Sequence, residues 1–329
     1  MKRYFIIFWF LVLAANLPLQ AEEFGNIFEN QVISVSFYAT AGRIKGDTTY
    51  HITFPGGASE LEFPLNSSLT GIKVELISKV PDKDKQPRNR FSVSWLTNSS
   101  QNTGDMKDFD WIDDDVAFFT ESGLSGGYNQ PGLDIYSESD AELTALIFDL
   151  QYGYNFFPEK KITPGYFLGY RVQKFKYEIN NTNQVGFGPY RPYYTASIPG
   201  PTLDYEVEYK FLYLGLNLSW LAPNDKFCFN LKSGYSGRVD ASDVDDHLLR
   251  YKLSKGRAQG SASFFNLDIL WSFMPRWKLQ VSYESGKIDT DGTQKQSYYS
   301  GPDYGWSAEV DDEITSSYQA TSISIKYEF

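Results

Sequence analysis

The stretch TSISIKYEF, residues 321–329, ends the chain and decides the fold class. Its apolar and polar residues alternate: one face carries Thr321, Ile323, Ile325, Tyr327 and Phe329, and the other carries Ser322, Ser324, Lys326 and Glu328. A period of two with one apolar face is typical of a β-strand that has one side away from water. We therefore expect the chain to end on a strand whose last residue is aromatic.

The same alternation recurs along the chain and predicts further strands. It is clearest at residues 33–38, 166–173, 227–232, 265–273 and 277–284. Aromatic residues make up 17% of the chain, with 24 Tyr and 25 Phe, and such residues favour sheet over helix. After the N-terminal segment, no stretch of the sequence reaches the ~18 apolar residues that a membrane-spanning helix needs.

The segments between these strands alternate in length. Short, Pro-containing connections lie at 80–89, 157–161, 222–226 and 274–276, and long polar ones lie near 99–137, 182–202, 244–256 and 290–313. Short turns on one side and long loops on the other are typical of outer-membrane β-barrels, and a terminal aromatic strand resembles theirs. The sequence therefore predicts a ten-stranded antiparallel transmembrane β-barrel of the outer membrane, with long extracellular loops and both termini in the periplasm.

One predicted strand breaks the alternation. In YEVEYKFLYLGLNLSW, residues 205–220, both faces become apolar after Tyr209. This pattern predicts either a β-bulge or a partly apolar lumen. The alternative for the whole chain is a secreted soluble β-sandwich, which also alternates. That fold would expose long rows of outward aromatic residues to water, so the barrel is preferred.

Residues 1–21 have the features of a secretory signal peptide. Lys2 and Arg3 precede an apolar run, and small residues end at Ala21, after which we expect cleavage. Residues 22–329 would then form a single outer-membrane barrel domain. Cys228 is the only cysteine, so no intrachain disulfide can form in an oxidising compartment. The net charge of −11 argues against nucleic acid as a partner.

Two acidic runs fall in the predicted extracellular loops: MKDFDWIDDD at 106–115 and DASDVDDH at 240–247. Taken alone, each run is more often a solvated or cation-binding loop, and Asp113, Asp114 and Asp115 in particular offer the hard oxygen ligands that suit Ca²⁺. His247 directly follows the second run. The other histidine, His51, alternates within TTYHITF, which favours a structural or lumenal role on a strand.

A histidine held by an aspartate and facing two more aspartates can activate water. The reference pKa of imidazole, about 6.5, suits a general base at neutral pH. A neighbouring carboxylate fixes the tautomer and stabilises the imidazolium that forms. Two adjacent carboxylates raise one another's pKa, so that one can hold a proton and hydrogen-bond the water or the scissile carbonyl.

The two runs together resemble the omptin family of outer-membrane endopeptidases of Gram-negative bacteria. The family's D-x-D-W motif, preceded by Met, is matched by Asp108, Asp110 and Met106, and its D-x-H motif is matched by Asp245 and His247. The resemblance covers the whole chain after the signal peptide. It implies that the two pairs face each other across a groove at the barrel mouth, outside the cell, with the attacking water between them. It implies no metal or organic cofactor.

The resemblance also implies specificity, and here the sequence departs from the pattern. Omptins cleave beside basic residues with an acidic pocket, and Asp243 matches one of its two carboxylates. The other would fall around residues 53–55, which are not acidic, so Glu60 or Glu62 is expected to reach in as a substitute. Omptins also bind lipopolysaccharide through basic wall residues. Lys174 matches one such place and Glu208 occupies another, so lipopolysaccharide dependence stays open.

Three functions are compatible with the predicted barrel. The first is an endopeptidase that cleaves polypeptides at the cell surface, with outer-membrane lipid as its surroundings. The second is a non-catalytic barrel of the same fold that acts as an adhesin, an invasin or a binder of host proteins. The third is a small porin, which is disfavoured because the lumen of a ten-stranded barrel is narrow and filled by side chains.

Overall fold

The computed structural model describes residues 33–54, 57–78, 86–111, 133–187 and 194–329. The predicted signal peptide and the acidic residues 113–115 lie outside these ranges. None of the helices in the described residues is long and apolar enough to cross a membrane. The strands of the described residues, in chain order, are β1 (Ile33–Phe54), β2 (Gly57–Pro64), β3 (Ser67–Ser78), β4 (Asn89–Thr97), β5 (Gln101–Trp111), β6 (Ile135–Asn155), β7 (Ile162–Gly186), β8 (Tyr194–Leu221), β9 (Phe227–His247), β10 (Lys252–Ser272), β11 (Trp277–Tyr298) and β12 (Ser307–Glu328).

The strands form one antiparallel sheet that closes on itself. β12 pairs with β1, so that Ser36 lies opposite Glu328 and Thr53 lies opposite Asp311. β2 continues β3 and β5 continues β4 as two interrupted strands, because β1 pairs with both β2 and β3 while β6 pairs with both β4 and β5. The ring therefore has ten members, and the predicted ten-stranded barrel is confirmed. We call the end formed by β2, β5 and the β9–β10 turn the mouth.

A belt of exposed apolar side chains surrounds the half of the barrel away from the mouth. On β8, Leu212, Leu214, Leu216 and Leu218 are 43% to 71% exposed. The belt continues around the ring through Val74, Trp95, Leu168, Leu231, Phe265, Val281, Ile323 and Ile325. Such a band would be costly in water, whereas it is what a barrel needs where its wall contacts lipid.

The irregularity predicted for β8 lies on its neighbour β9. The pairing of the two strands shifts register between Phe211 and Leu214, where residues 236–238 of β9 oppose only residues 212–213 of β8. Val207, Tyr209, Phe211 and Tyr213 nevertheless keep pointing inward and are buried. The apolar lumen therefore accounts for the broken alternation, whereas the bulge belongs to β9 and not to β8.

Three intervals expected to be long loops, 182–202, 244–256 and 290–313, are mostly strand. β9 reaches His247 and β10 begins at Lys252, with a turn at 248–251, and the β11–β12 connection spans only 299–306. These strand ends rise beyond the apolar belt, where the outer wall meets water. Their outward residues are mostly polar, and their inward residues mix apolar with buried polar side chains. The expectation of loops was wrong at these positions because neither face shows the apolar row that marks a strand in lipid.

Side chains fill the interior. Near the mouth, the rings of Phe63 and Tyr205 stack with centroids 4.2 Å apart, and Tyr177 packs against Phe63 at 5.0 Å. At the level of the belt, Arg171 forms ion pairs with Asp149 at 2.6 Å and with Glu284 at 2.7 Å. A filled lumen is expected for a barrel of this size, and it weakens the porin alternative.

Candidate active site

Asp108 and Asp110 lie on the inner face of β5 at the mouth. Asp108 is opposite Leu61 of β2, which belongs to the buried interior, and Asp110 is opposite Ser59. Directly opposed residues of an antiparallel pair point to the same side. The Ser59 hydroxyl lies 3.5 Å from Asp108 Oδ1 as a long hydrogen-bond donor. These aspartates were expected in a loop, and a strand instead holds both carboxylates on one face.

Asp245 and His247 share the inner face of β9, directly before the turn. His247 Nε2 is 2.9 Å from Asp245 Oδ2, and the side chains are 14% and 0% exposed, respectively. Asp245 lies opposite Tyr205 on one side and Ser254 on the other, and both of these residues are buried. The structure therefore brings the predicted dyad together, with the carboxylate sealed below the imidazole.

The two pairs interact across the mouth. Burial raises the pKa of Asp108 well above its ordinary value, and the charges of Asp110 and Asp245 raise it further. Arg250 and Lys252 oppose this shift. Asp245 can act on Asp108 only if the inner faces of β9 and β5 confront one another over a short distance. The raised pKa favours the protonated, hydrogen-bond-donating form of the Asp108 carboxyl relative to an exposed aspartate.

In the dyad the pKa values are lowered, in contrast to the raised pKa of Asp108. Burial lowers the pKa of His247, and Lys252 lowers it further, although Asp245 works against both. Burial disfavours the ionised form of Asp245, but the neighbouring His247 and Lys252 bring the pKa of Asp245 below its ordinary value. At neutral pH the dyad therefore consists of a neutral imidazole and an ionised carboxylate. That is the state in which a histidine can accept a proton.

Lys252 is a site residue that the sequence reasoning missed. It lies opposite His247 in the β9–β10 pair and is only 6% exposed. Burial lowers the pKa of its ammonium group, while the carboxylates of Asp245, Asp108 and Asp110 raise it. A cation thus lies among the four predicted catalytic side chains. The sequence could have indicated this, because a tight turn at 248–251 places Lys252 on the same inner face as Asp245. The expectation of a loop at 244–256 concealed that arrangement.

Asp243 lies one layer below Asp245 and is 2% exposed. Burial raises its pKa well above the usual range, and the nearby Asp312 and Asp245 carboxylates add to the shift. Asp312, on β12, is 1% exposed. Sequence reasoning missed it because residues 290–313 were also expected to be a loop. A carboxylate from the last strand therefore accompanies Asp243.

The two β2 carboxylates that were expected to join Asp243 do not reach it. Glu60 and Glu62 alternate with the buried Leu61 and Phe63, so they lie on the outer wall. Glu60 is 3.3 Å from His51 Nδ1, and Glu62 forms an ion pair with Lys107 at 3.6 Å. The expectation that they face the lumen was wrong because β2 lies beyond the apolar belt, where the phase reverses. His51 is likewise on the outer wall, in a structural contact.

The described ranges contain no group of three or more His, Cys, Asp or Glu side chains arranged to hold a metal ion. The calcium alternative concerned residues 113–115, which are outside those ranges. The acidic side chains at the mouth that are described form pairs, not a cage of oxygen ligands.

Comparisons with known proteins address the fold and the family. Residues 72–329 match the model of the omptin family, and this range contains all four predicted catalytic residues. The outer membrane protease OmpT from Escherichia coli has a similar structure, with a TM-score of 0.71 at 17% identity, covering 90% of this chain and 97% of that one. No curated protein sequence matches the chain significantly.

Two other solved barrels align over most of their length with lower similarity. The translocator domain of the autotransporter NalP from Neisseria meningitidis has a TM-score of 0.36 at 8% identity, covering 97% of this chain and 98% of that one. OprG from Pseudomonas aeruginosa has a TM-score of 0.31 at 11% identity, covering 89% and 95%. The match of the family model to most of the sequence shows that the chain belongs to the omptin family of outer-membrane proteases.

Proposed function

We propose that this protein is an endopeptidase that hydrolyses polypeptides by attack of an activated water at the barrel mouth. The observation that carries the proposal is the 2.9 Å contact between His247 and Asp245 on an inner face that confronts Asp108 and Asp110. Either pair alone would be an ordinary acidic cluster. Together they supply a base, a group that orients it, and hydrogen-bonding groups for the reacting carbonyl.

His247 acts as the general base. It takes a proton from the water, whose oxygen then adds to the carbonyl carbon of the scissile bond, and it returns the proton to the leaving nitrogen. Asp245 orients the imidazole and stabilises the imidazolium while it exists. Its complete burial serves this role, because a carboxylate with little water around it interacts strongly with a neighbouring cation.

Asp108 and Asp110 hold the water and the oxyanion side of the tetrahedral intermediate. The raised pKa of Asp108, caused first by burial and then by Asp110 and Asp245, supports a protonated carboxyl that donates a hydrogen bond. The carboxyl oxygens of Asp110 beside it can accept one from the water. The two carboxyl groups can therefore serve both partners of the addition. Lys252 balances the negative charge that these carboxylates concentrate at the mouth.

Asp243 is the proposed contact for the substrate side chain beside the scissile bond. It lies two residues before Asp245 on the same face of β9, so it is one side-chain layer below the dyad. A buried carboxylate favours a basic side chain, which leads us to propose a preference for Arg or Lys at that position. The dyad would face the outside of a Gram-negative cell, since the mouth lies opposite the end where the short turns join the strands.

Lys174 is the basic wall residue that the family resemblance links to lipopolysaccharide. The wall position of Lys174 is occupied by an ion pair with Glu206 at 2.6 Å, and Glu208 pairs with Lys210. A lipid phosphate that bound Lys174 would have to compete with Glu206. We therefore propose that lipopolysaccharide activates this protein less than it would if these lysines were free of ion pairs. The other role of outer-membrane lipid is to surround the apolar belt.

The test is turnover of internally quenched peptides by the refolded full chain, with and without lipopolysaccharide. We expect cleavage, with product masses showing one hydrolysed bond, and no loss of activity with a chelator. Binding of the peptides without cleavage in either condition would instead favour the adhesin or host-protein binder. Activity that a chelator abolishes would contradict the metal-free mechanism.

A further inference from the structure

A cluster of buried oxygen atoms without hydrogen-bond partners lies just below the dyad. Within the described part of the chain, Asp243 Oδ1, both carboxylate oxygens of Asp312 and the hydroxyls of Ser254 and Tyr205 have none. Buried polar atoms in proteins are almost always satisfied, because leaving one unpaired costs about 1–3 kcal/mol. Three of these atoms are carboxylate oxygens, and three unpaired carboxylate oxygens close together indicate a site built for a donor that comes from outside the chain.

Gly256 allows the two carboxylates to approach each other. It lies opposite Asp243 in the β9–β10 pair, and a Cβ at residue 256 would collide with both Asp243 Oδ1 and Asp312 Oδ2. The two oxygens therefore lie over the same glycine, although their strands are separated by β10 and β11 in the ring. The missing side chain at 256 gives the carboxylates of β9 and β12 a common space.

We propose that Asp243 and Asp312 form one pocket for the cationic side chain of the substrate residue beside the scissile bond, with Asp312 as a specificity-determining residue. The proposal rests on the proposed function and extends it, because family resemblance points to Asp243 alone on these strands. Asp312 supplies, from β12, the second carboxylate that the first outer turn lacks.

The position of the pair favours a substrate side chain as the occupant. Asp243 is two residues below Asp245, so the pocket adjoins the reacting bond. Asp312 lies opposite Ile52, two residues from the end of β1 at the mouth, which puts the pocket within reach of a long side chain from outside. A guanidinium or ammonium group has several N–H donors and no acceptor, and this matches a site rich in unpaired acceptors.

Two adjacent carboxylates without a cation share protons. Burial raises the pKa of Asp312 to about 7, with further contributions from Asp245 and Glu313, and the pKa of Asp243 is also raised. A cation that enters the pocket must therefore displace a proton near neutral pH. The titratable groups that face Asp312 are Asp243 and Asp245 on β9, Tyr205 and Tyr209 on β8, Tyr50 on β1 and the adjacent Glu313.

The experiment compares two peptides that differ only in Arg or citrulline, its neutral isostere, before the scissile bond. The ratio of their kcat/KM values cancels the titration of the dyad, because both peptides use it. For the refolded full chain we expect this ratio to rise about tenfold between pH 6 and pH 8, as the pair loses its proton. Asp312→Asn should lower the ratio at least tenfold at pH 8 and flatten its pH dependence. Asp311→Asn, the same change at an exposed neighbour, should keep the wild-type ratio.

A binding measurement separates failure of the pocket from failure of catalysis. Calorimetry with butylguanidinium and its neutral analogue butylurea should show binding of the cation alone, with release of a proton at pH 7, and loss of binding in Asp312→Asn. Equal binding of the two probes, or butylguanidinium binding unchanged in Asp312→Asn, would overturn the pocket even if no peptide is cleaved. If peptides are cleaved but the Arg-to-citrulline ratio of kcat/KM changes neither with pH nor in Asp312→Asn, the pocket is overturned. The proposed function would then stay intact.

Discussion

His247 Nε2 lies 2.9 Å from Asp245 Oδ2, and this contact joins a side chain that reaches the mouth to one that is completely buried. The two residues are separated by Asp246, whose side chain points to the other face of β9 and accepts a hydrogen bond from Tyr299 at 3.0 Å. The D-x-H spacing is thus a strand spacing. It fixes the imidazole from below and leaves its upper side for substrate.

The pH profile follows from the environment of His247. Burial lowers the pKa of His247, helped by Lys252 and opposed by Asp245, so the imidazole should stay neutral down to below the ordinary value of about 6.5. Activity should be present at neutral pH and be lost as pH falls through that lowered pKa. The measurement is kcat/KM for a citrulline peptide across pH, which avoids the titration of the Asp243 pocket. A midpoint on the acid side above 6.5 would contradict this.

Lys252→Met should move the acid limb of that profile to higher pH. The ammonium of Lys252 lowers the pKa values of His247, Asp245 and Asp108, so its removal lets each of them hold a proton more readily. Turnover at pH 7 should fall accordingly. Lys255→Met is the matched control, because it removes the same charge from an exposed position of β10. Indistinguishable profiles for the two variants would remove Lys252 from the site.

Arg171→Met should destabilise the barrel without touching the mouth. Arg171 contacts Asp149, Glu284 and the Tyr318 hydroxyl, the last at 3.0 Å. Removing it leaves two partly buried carboxylates without their cation, although Tyr213 and Tyr318 still donate hydrogen bonds to them. For a fully buried pair such a change costs about 3–5 kcal/mol, so the loss here should lie below that range. The temperature at which the folded band disappears on gel electrophoresis should drop well below that of wild type. Replacement of the exposed Arg238 by Met should leave that temperature unchanged.

The barrel itself should be heat-modifiable. A closed sheet whose backbone groups are paired resists SDS until it is boiled, so unboiled and boiled samples should migrate differently. The belt around Leu212 and Leu216 should also direct the chain into detergent or lipid. Identical migration before and after boiling, together with fractionation as a water-soluble protein, would contradict the membrane barrel.

The sequence was sufficient to predict the ring and the pairing of the four candidate catalytic residues on two strand faces. The alternation of the last strand, ending at Phe329, and the broken phase after Tyr209 both reflect an outer wall in lipid, where side chains must be apolar. The D-x-D and D-x-H spacings place their carboxylates and imidazole on single strand faces. These are local consequences of a period of two, which a sequence displays directly.

What the sequence could not predict depends on contacts between distant strands. Lys252 and Asp312 were hidden because the barrel rises above the belt, where the outer face is polar, the inner face is mixed, and the segments look like loops in the sequence. Glu60 was assigned to the lumen for the same reason. The approach of Asp243 and Asp312 over Gly256 joins β9, β10 and β12, and no spacing along the chain encodes it.

The most direct test of the account is peptide turnover by His247→Ala beside His51→Ala, with both proteins shown to fold by heat-modifiable migration. His247 is the proposed base, whereas His51 lies on the outer wall beside Glu60. We expect His247→Ala to lose ~10²–10⁴-fold in kcat, the usual contribution of a general base, and His51→Ala to retain wild-type turnover. Wild-type turnover by a folded His247→Ala would contradict catalysis by the Asp245–His247 dyad.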